Sequence, residues 1–149
     1  MSQLVHLATA QDAARLLPLI ERFHESQSID MSIEAREAAM QPLLDGNPLG
    51  AIWLIGPRQA PVGYIALSFG WSIARGGMEG RITDFFIREK IRGRGMGGDT
   101  LAALLPQLRE AGLVALHLDI PAQGEAVARL FKRMGFRLRE DMHAMSWGL

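Results

Sequence analysis

Seven consecutive residues, Arg92-Gly93-Arg94-Gly95-Met96-Gly97-Gly98, combine cationic side chains with a backbone largely cleared of bulk, a combination suited to binding phosphate. Where side chains are absent, successive backbone N–H groups can approach and point at one anion. Arg88, Lys90, Arg92 and Arg94 supply positive charge, opposed only by Glu89. The helix that follows, read from about Gly97 to Ala111, carries Leu101, Leu104, Leu105 and Leu108 on one face. Its unpaired N-terminal donors and positive dipole end aim at the same place. Upstream, Arg81 to Ile87 is β-branched and aromatic and reads as a buried strand. A solvated glycine turn is the plain alternative, but the order strand, glycine loop, helix favours an anion site.

Two nucleotide readings compete for these glycines. Gly93 to Gly98 satisfies G-x-G-x-x-G, and Asp119 follows about twenty residues later, where a ribose-binding acid would stand. That fingerprint places its first glycine directly after the strand, whereas Arg88 to Arg92 intervene here. Beyond Asp119 there is room for one helix and a short hairpin, too little for a dinucleotide domain. No Gly-Lys-Ser or Gly-Lys-Thr follows the glycines, which excludes the Walker-type loop.

The segment Asp84-Phe85-Phe86-Ile87, followed by Arg92-Gly93-Arg94-Gly95-Met96-Gly97, resembles the acyl-CoA-binding motif of the GNAT superfamily of N-acetyltransferases, whose core is Arg/Gln-x-x-Gly-x-Gly/Ala. Leu130 to Phe136 is similar to the superfamily's later helix-to-strand segment. The Asp-Phe-Phe-Ile start is similar to diamine acetyltransferases, and Gly70 to Gly80 to small-molecule acetyltransferases. The resemblance implies acetyl-CoA as co-substrate, without a metal, and direct attack by an amine on the thioester in a ternary complex. It implies that a backbone N–H near Ile87 polarises the acyl carbonyl, making Ile87 catalytic together with Asp84. Phe85, Phe86 and Ile87 would run beside the pantetheine. Gly93, Arg94, Gly95, Met96, Gly97 and Gly98, flanked by Arg88 and Arg92, would hold the pyrophosphate. Gly124 and Phe131 stand on the cofactor side where the superfamily commonly has an asparagine and a thiolate-protonating tyrosine. A thiol with a pKa of about 8.5 leaves tolerably without that acid. Core packing is the alternative role for Phe85 and Phe86.

Asp84 alternates with Phe85, so one of the two faces the acceptor side. An aspartate near pKa 4 and an alkylammonium near 10 differ by roughly 8 kcal/mol, too much for easy direct deprotonation. Asp84 therefore anchors the acceptor ammonium or relays its proton through water, unless it is tied in a salt bridge to Arg81. His24, Glu25 and Trp71 are the further acceptor-binding candidates, with Glu21 nearby and His24 also a possible base. Solvation of a helix surface is the alternative for the helical members. His117, between Leu116 and Leu118, reads as a satisfied sheet histidine, and Asp119 and Glu125 as caps of the following helix.

These residues must be positioned by one domain of 149 residues, 48% hydrophobic, which is enough chain for a real core. Sixteen basic and sixteen acidic residues cancel, so neither nucleic acid nor a membrane surface is an expected partner. Without cysteine there is no disulfide, thiolate metal site or cysteine nucleophile. No basic-then-apolar leader or membrane-length run is visible, so a cytoplasmic location is expected. A small-molecule amine is the expected partner, and the oligomeric state, a homodimer included, stays open.

The expected elements are a strand at Leu4–Leu7, a helix opened by a Thr9/Asp12 capping box and bent at Pro18, and a second helix capped by Ser32. Strands at 51–55, 62–69 and 82–87 follow, then the loop and its helix, a strand at 114–120, a helix at 125–134, and one or two strands over 136–147. The order βααβββαβαββ gives an α+β fold, an α/β/α sandwich on a mostly antiparallel mixed sheet with one central parallel pair. The functional expectation is an N-acetyltransferase acting on a primary amine of a small molecule, with a peptide or protein amine as second choice. A non-catalytic acyl-CoA-binding module and a dinucleotide-binding protein are the alternatives.

Overall fold

The computed structural model describes residues 3–148, which divide into two compact units, one ending at Asp119 and one starting at Ile120. The first contains β1 (Val5–Leu7), α1 (Ala13–Ser26), α2 (Ile33–Leu44), β2 (Gly50–Ile55), β3 (Gly63–Ser72), β4 (Gly77–Ile87), α3 (Met96–Glu110) and β5 (Leu113–His117). Its five strands lie in sequence order, β1 to β4 antiparallel and β4–β5 parallel. The mixed α+β sheet with one parallel pair is the expected architecture, but the pair lies at one edge of these five strands and not at the centre.

Local sequence explains most boundaries. The Thr9 N–H donates to Asp12 Oδ2 at 2.8 Å, opening a short 3₁₀ turn that leads into α1, which runs on past Pro18. Ser32 Oγ accepts from the Ala35 N–H at 3.1 Å and starts α2. Alternation along the strands places Ile52, Leu54, Tyr64, Ala66 and Phe86 on one face, packed with Leu16, Leu19 and Ile20 of α1 and Met40 and Leu44 of α2. The opposite face carries Val5, Ile55, Ile65 and Leu67, and α3 supplies the buried Leu101, Leu104 and Leu108.

Two irregularities position the site. The β3–β4 register passes from Ala66↔Asp84 to Leu67↔Ile82, so Thr83 is an extra residue in β4. This bulge puts Asp84 and Ile82 on opposite faces although they are two apart. At the far end of the ladder, Gly63 pairs with Ile87 so closely that a Cβ on Gly63 would overlap the Phe86 carbonyl oxygen.

The second unit holds α4 (Glu125–Arg133), after which Gly135 takes a left-handed φ of 94°. The strands expected over Phe136–Trp147 are not formed. After Leu138 the apolar alternation gives way to Arg139-Glu140-Asp141, and Met145 and Trp147 are exposed, so the segment has no continuous face to bury.

Asp12, 1% exposed, ties this framework together. Arg15 and Arg58 each reach it at 2.6 Å, and Arg58 also donates to the Leu7 carbonyl. Burial pushes the Asp12 carboxyl up, but the Thr9 N–H and the two guanidiniums more than offset this and hold its pKa below the usual aspartate value. The resulting stabilisation is complete above the unfolded pKa and is lost as pH falls through the lowered folded one. Asp12→Ala should cost about 2–3 kcal/mol in urea unfolding at pH 7, below the fully buried range because both arginines keep contact with water. The gap from the unsubstituted protein should narrow as the pH is brought down towards 3.

Candidate active site

The β4–β5 ladder runs from Met78↔Leu113 to Arg81↔His117 and stops there, although β4 continues to Ile87. On its other edge β4 stays paired with β3, and the Arg88 N–H donates to the Val62 carbonyl at 2.8 Å. Peptide groups alternate between the two edges of a strand. The bond from Arg88 therefore turns the N–H and C=O of Ile87 towards the side β5 has left. Arg92 meets that carbonyl with its Nε–H at 2.8 Å, and its guanidinium lies 5.5 Å from the centre of the Phe86 ring. The Ile87 N–H faces the same side, beyond the last β4–β5 pair.

Past Ile87, Glu89–Ile91 forms a 3₁₀ turn, and Gly93 and Gly95 adopt φ of 82° and 76°. Only glycine takes these left-handed values without penalty, and they turn the chain into α3. The first bond back along the helix runs from the Asp99 N–H to the Gly95 carbonyl. The N–H groups of Met96, Gly97 and Gly98 therefore have no partner within the helix. Arg88, Lys90 and Arg94 are exposed and form no ion pair among the described residues. Strand gap, cationic loop and helix start are thus consecutive, and together suit a ligand with an extended arm and a phosphate group.

Of the two aromatics expected beside the pantetheine, Phe86 is 3% exposed and belongs to the core with Phe23 and Tyr64, while Phe85 is half-buried on the opposite face.

Asp84 is half-buried beside this gap and accepts the Tyr64 O–H on Oδ2 at 2.7 Å. Burial first, then the charge of Asp84, pushes the Tyr64 phenol far above its ordinary pKa, so it remains a protonated donor. The alternative salt bridge from Asp84 to Arg81 is not formed. The β4–β5 pairing brings Asp119 alongside, and Arg81 binds it at 2.8 Å.

His24 accepts from Arg36 Nε on Nδ1 at 3.1 Å, and Arg36 also donates to the Met31 carbonyl. Arginine can only donate, so Nδ1 is the ring's acceptor and the neutral ring carries its hydrogen on Nε2. Burial, and then the Arg36 charge, push the His24 pKa down, partly opposed by Asp84. With its lone pair engaged, His24 is a hydrogen-bond donor at this site and not a base.

The other candidates are dispersed. Glu25 lines an open depression of about 490 Å³ with Arg22, Ser26 and Glu89. Trp71 is 73% exposed opposite Met78, five residues along β3 from the residue that faces Asp84, a separation of roughly 16 Å. His117 is satisfied by Glu79 at 3.2 Å, as expected of a sheet histidine. In the second unit, Gly124 caps α4 where a Cβ would crowd Ile120 and Pro121, and Phe131 packs edge-on against Phe136 at 5.1 Å. Among the described residues no group of three or more His, Asp or Glu could hold a metal ion, and no helix is long and apolar enough to cross a membrane.

Sequence reasoning missed Tyr64 and Arg36. Tyr64 is the only tyrosine of the chain, set in an otherwise apolar strand, and a hydroxyl there demands a partner. Arg36 shares the buried side of α2 with Met40, a placement an arginine takes only when paired.

Residues 13–136 match the Acetyltransferase (GNAT) family, and the chain belongs to that family. Solved structures agree in fold. An integron cassette protein, HFX_CASS3, from the mobile metagenome of Cole Harbour Salt Marsh is 29% identical, with a TM-score of 0.84 over 98% of this chain and 90% of its own. A protein described as a probable acetyltransferase is 16% identical, with a TM-score of 0.86 over 97% of both chains. The ribosomal-protein-alanine N-acetyltransferase of Brucella melitensis biovar Abortus 2308 is 15% identical, with a TM-score of 0.73 over 96% of this chain and 99% of its own. No curated protein has a matching sequence. Family membership supports acetyltransferase activity in general.

A Cβ at Gly95 would meet nothing within 4 Å, so only its backbone angle resists substitution. Gly95→Ala should cost about 1–2 kcal/mol in urea unfolding. An unchanged midpoint would mean that the loop is not held in the left-handed turn.

Proposed function

We propose that this protein transfers the acetyl group of acetyl-CoA to a primary amine. The observation that carries the reading is the early end of the β4–β5 ladder directly before a glycine turn and a helix start. In this reading the gap accepts an extended arm, the Ile87 N–H donates to the acyl oxygen as negative charge develops there, and the Met96 to Gly98 amides with Arg88 and Arg94 hold the diphosphate. Asp84 anchors the acceptor ammonium in register with the thioester. In the reaction the ammonium first gives one proton to water beside Asp84, the neutral amine nitrogen bonds to the acyl carbon, the carbon–sulfur bond breaks with its electron pair going to the thiolate, and the second proton lost as the amide forms passes to water or to that thiolate. The balanced charge of the chain favours a small-molecule amine over nucleic acid or a membrane surface as partner, and the cytoplasm is the location we propose.

Phe131 and Gly124, standing where tyrosine and asparagine are usual in the resemblance, favour a second reading as a non-catalytic acyl-CoA binder. Thioester consumption with a panel of amines separates the two.

Coenzyme A should raise the melting temperature, and NAD and ATP should do so less. Gly95→Val should abolish the shift. Asp84→Asn should retain it while lowering kcat/KM for amines at least about tenfold, the loss expected when a charged contact is removed. Undiminished turnover by that variant would remove Asp84 from the acceptor site, and equal stabilisation by all three ligands would overturn coenzyme A specificity.

A further inference from the structure

Asp84 and His24 share one arrangement. Each is held through one polar atom by a partner with little or no access to solvent, and each keeps a second polar atom without a partner among the described residues. Tyr64, 0% exposed, holds Asp84 Oδ2 and leaves Oδ1. Arg36, 7% exposed, holds His24 Nδ1 and leaves the Nε2–H. The Phe23 ring lies 6.4 Å from the His24 ring and 6.1 Å from the ring of Tyr64, so His24 and the phenol that holds Asp84 pack against one aromatic neighbour. The two side chains therefore offer an acceptor and a donor in one neighbourhood, each backed by a buried partner.

We propose that Asp84 and His24 act as a pair that recognises an amine with a neutral hydrogen-bond-accepting oxygen close by, namely the α-amino carbonyl unit of an amino-acid amide or a peptide N-terminus. This rests on the N-acetyltransferase reading and names its acceptor class. Asp84 Oδ1 takes the ammonium, and the His24 Nε2–H donates to the carbonyl oxygen. A diamine fits this pair poorly. Its second ammonium would meet an N–H donor backed by the Arg36 guanidinium, and no acceptor atom of His24 is left for it. Arg36 is a positioning residue here: it fixes the ring's tautomer and touches no substrate. The preference is one of fit, because a site built to donate to an oxygen loses that bond with an analogue lacking it.

The test uses the full chain and the rate of thiol release from acetyl-CoA with glycinamide, alanyl-alanine, propylamine and 1,4-diaminobutane. The reading variable is the ratio of kcat/KM for glycinamide to that for propylamine, which cancels the intrinsic reactivity difference of the two amines when variants are compared. His24→Phe should lower this ratio about tenfold, chiefly through the KM of glycinamide. His24→Gln, which keeps an N–H donor, should restore most of it, a rescue that a merely structural role would not give. Alanyl-alanine should follow glycinamide in every variant if peptides are accepted, and fail alone if only small amides are. A ratio unmoved in His24→Phe, or no recovery in His24→Gln while both variants still bind coenzyme A, overturns the pairing. Absence of turnover with every amine, despite coenzyme A binding, overturns the transferase reading itself.

Discussion

A strand in the middle of a sheet must satisfy the peptide groups on both edges, and β4 outruns its parallel neighbour. What the chain does with the surplus length defines the site. Past the Thr83 bulge the edge towards β3 is engaged, which sets the orientation of the peptide groups from Asp84 to Arg88. On the other edge the Ile87 carbonyl is taken by Arg92, and its N–H points to the side where β5 no longer pairs. Because Arg92 also rests on the Phe86 ring, the position of the loop is referred to the core packed between α1, α2 and the sheet. The glycine turn then places the open end of α3 one short step away. In the proposed reading the two parts need each other: a phosphate site alone would bind many anions, and a gap alone would have no way to set the depth of an acyl arm.

Asp12 and Asp84 show how partner number separates an acid used up by the framework from one with capacity to spare. Asp12 has both oxygens occupied, by two guanidiniums and a backbone amide, and nothing of it remains for a ligand. Asp84 has one oxygen occupied, by a phenol that carries no charge, and so keeps most of its capacity to attract a cation. Both are acids beside aromatic or aliphatic surroundings in the sequence, and only the count of partners tells them apart.

That count is what the sequence does not display. The loop, its flanking strand and helix, the Ser32 cap and the Thr9–Asp12 box are written in residues a few positions apart, and all appear where the local pattern puts them. Tyr64 and Asp84 are twenty residues apart, and Arg36 and His24 twelve, so their meeting depends on strand register and helix packing. The Thr83 bulge shifts which residues share a face and cannot be seen in a run of β-branched residues. Trp71 illustrates the converse: it is close to the site in composition and remote along the strand. The unformed strands after Phe136 fail for a related reason, since a strand needs a continuous face and a neighbour, whereas a helix can close its own hydrogen bonds.

Gly63 carries a separate lesson. It touches no candidate ligand, yet the backbone opposite leaves no volume for even a methyl group, and the pairing it permits is the one that aims Ile87. In a saturation scan this position would rank among the most intolerant of the chain while belonging to no reaction step. Mutational intolerance at Gly63 therefore measures the spacing between two main chains, and chemistry has to be located by other means.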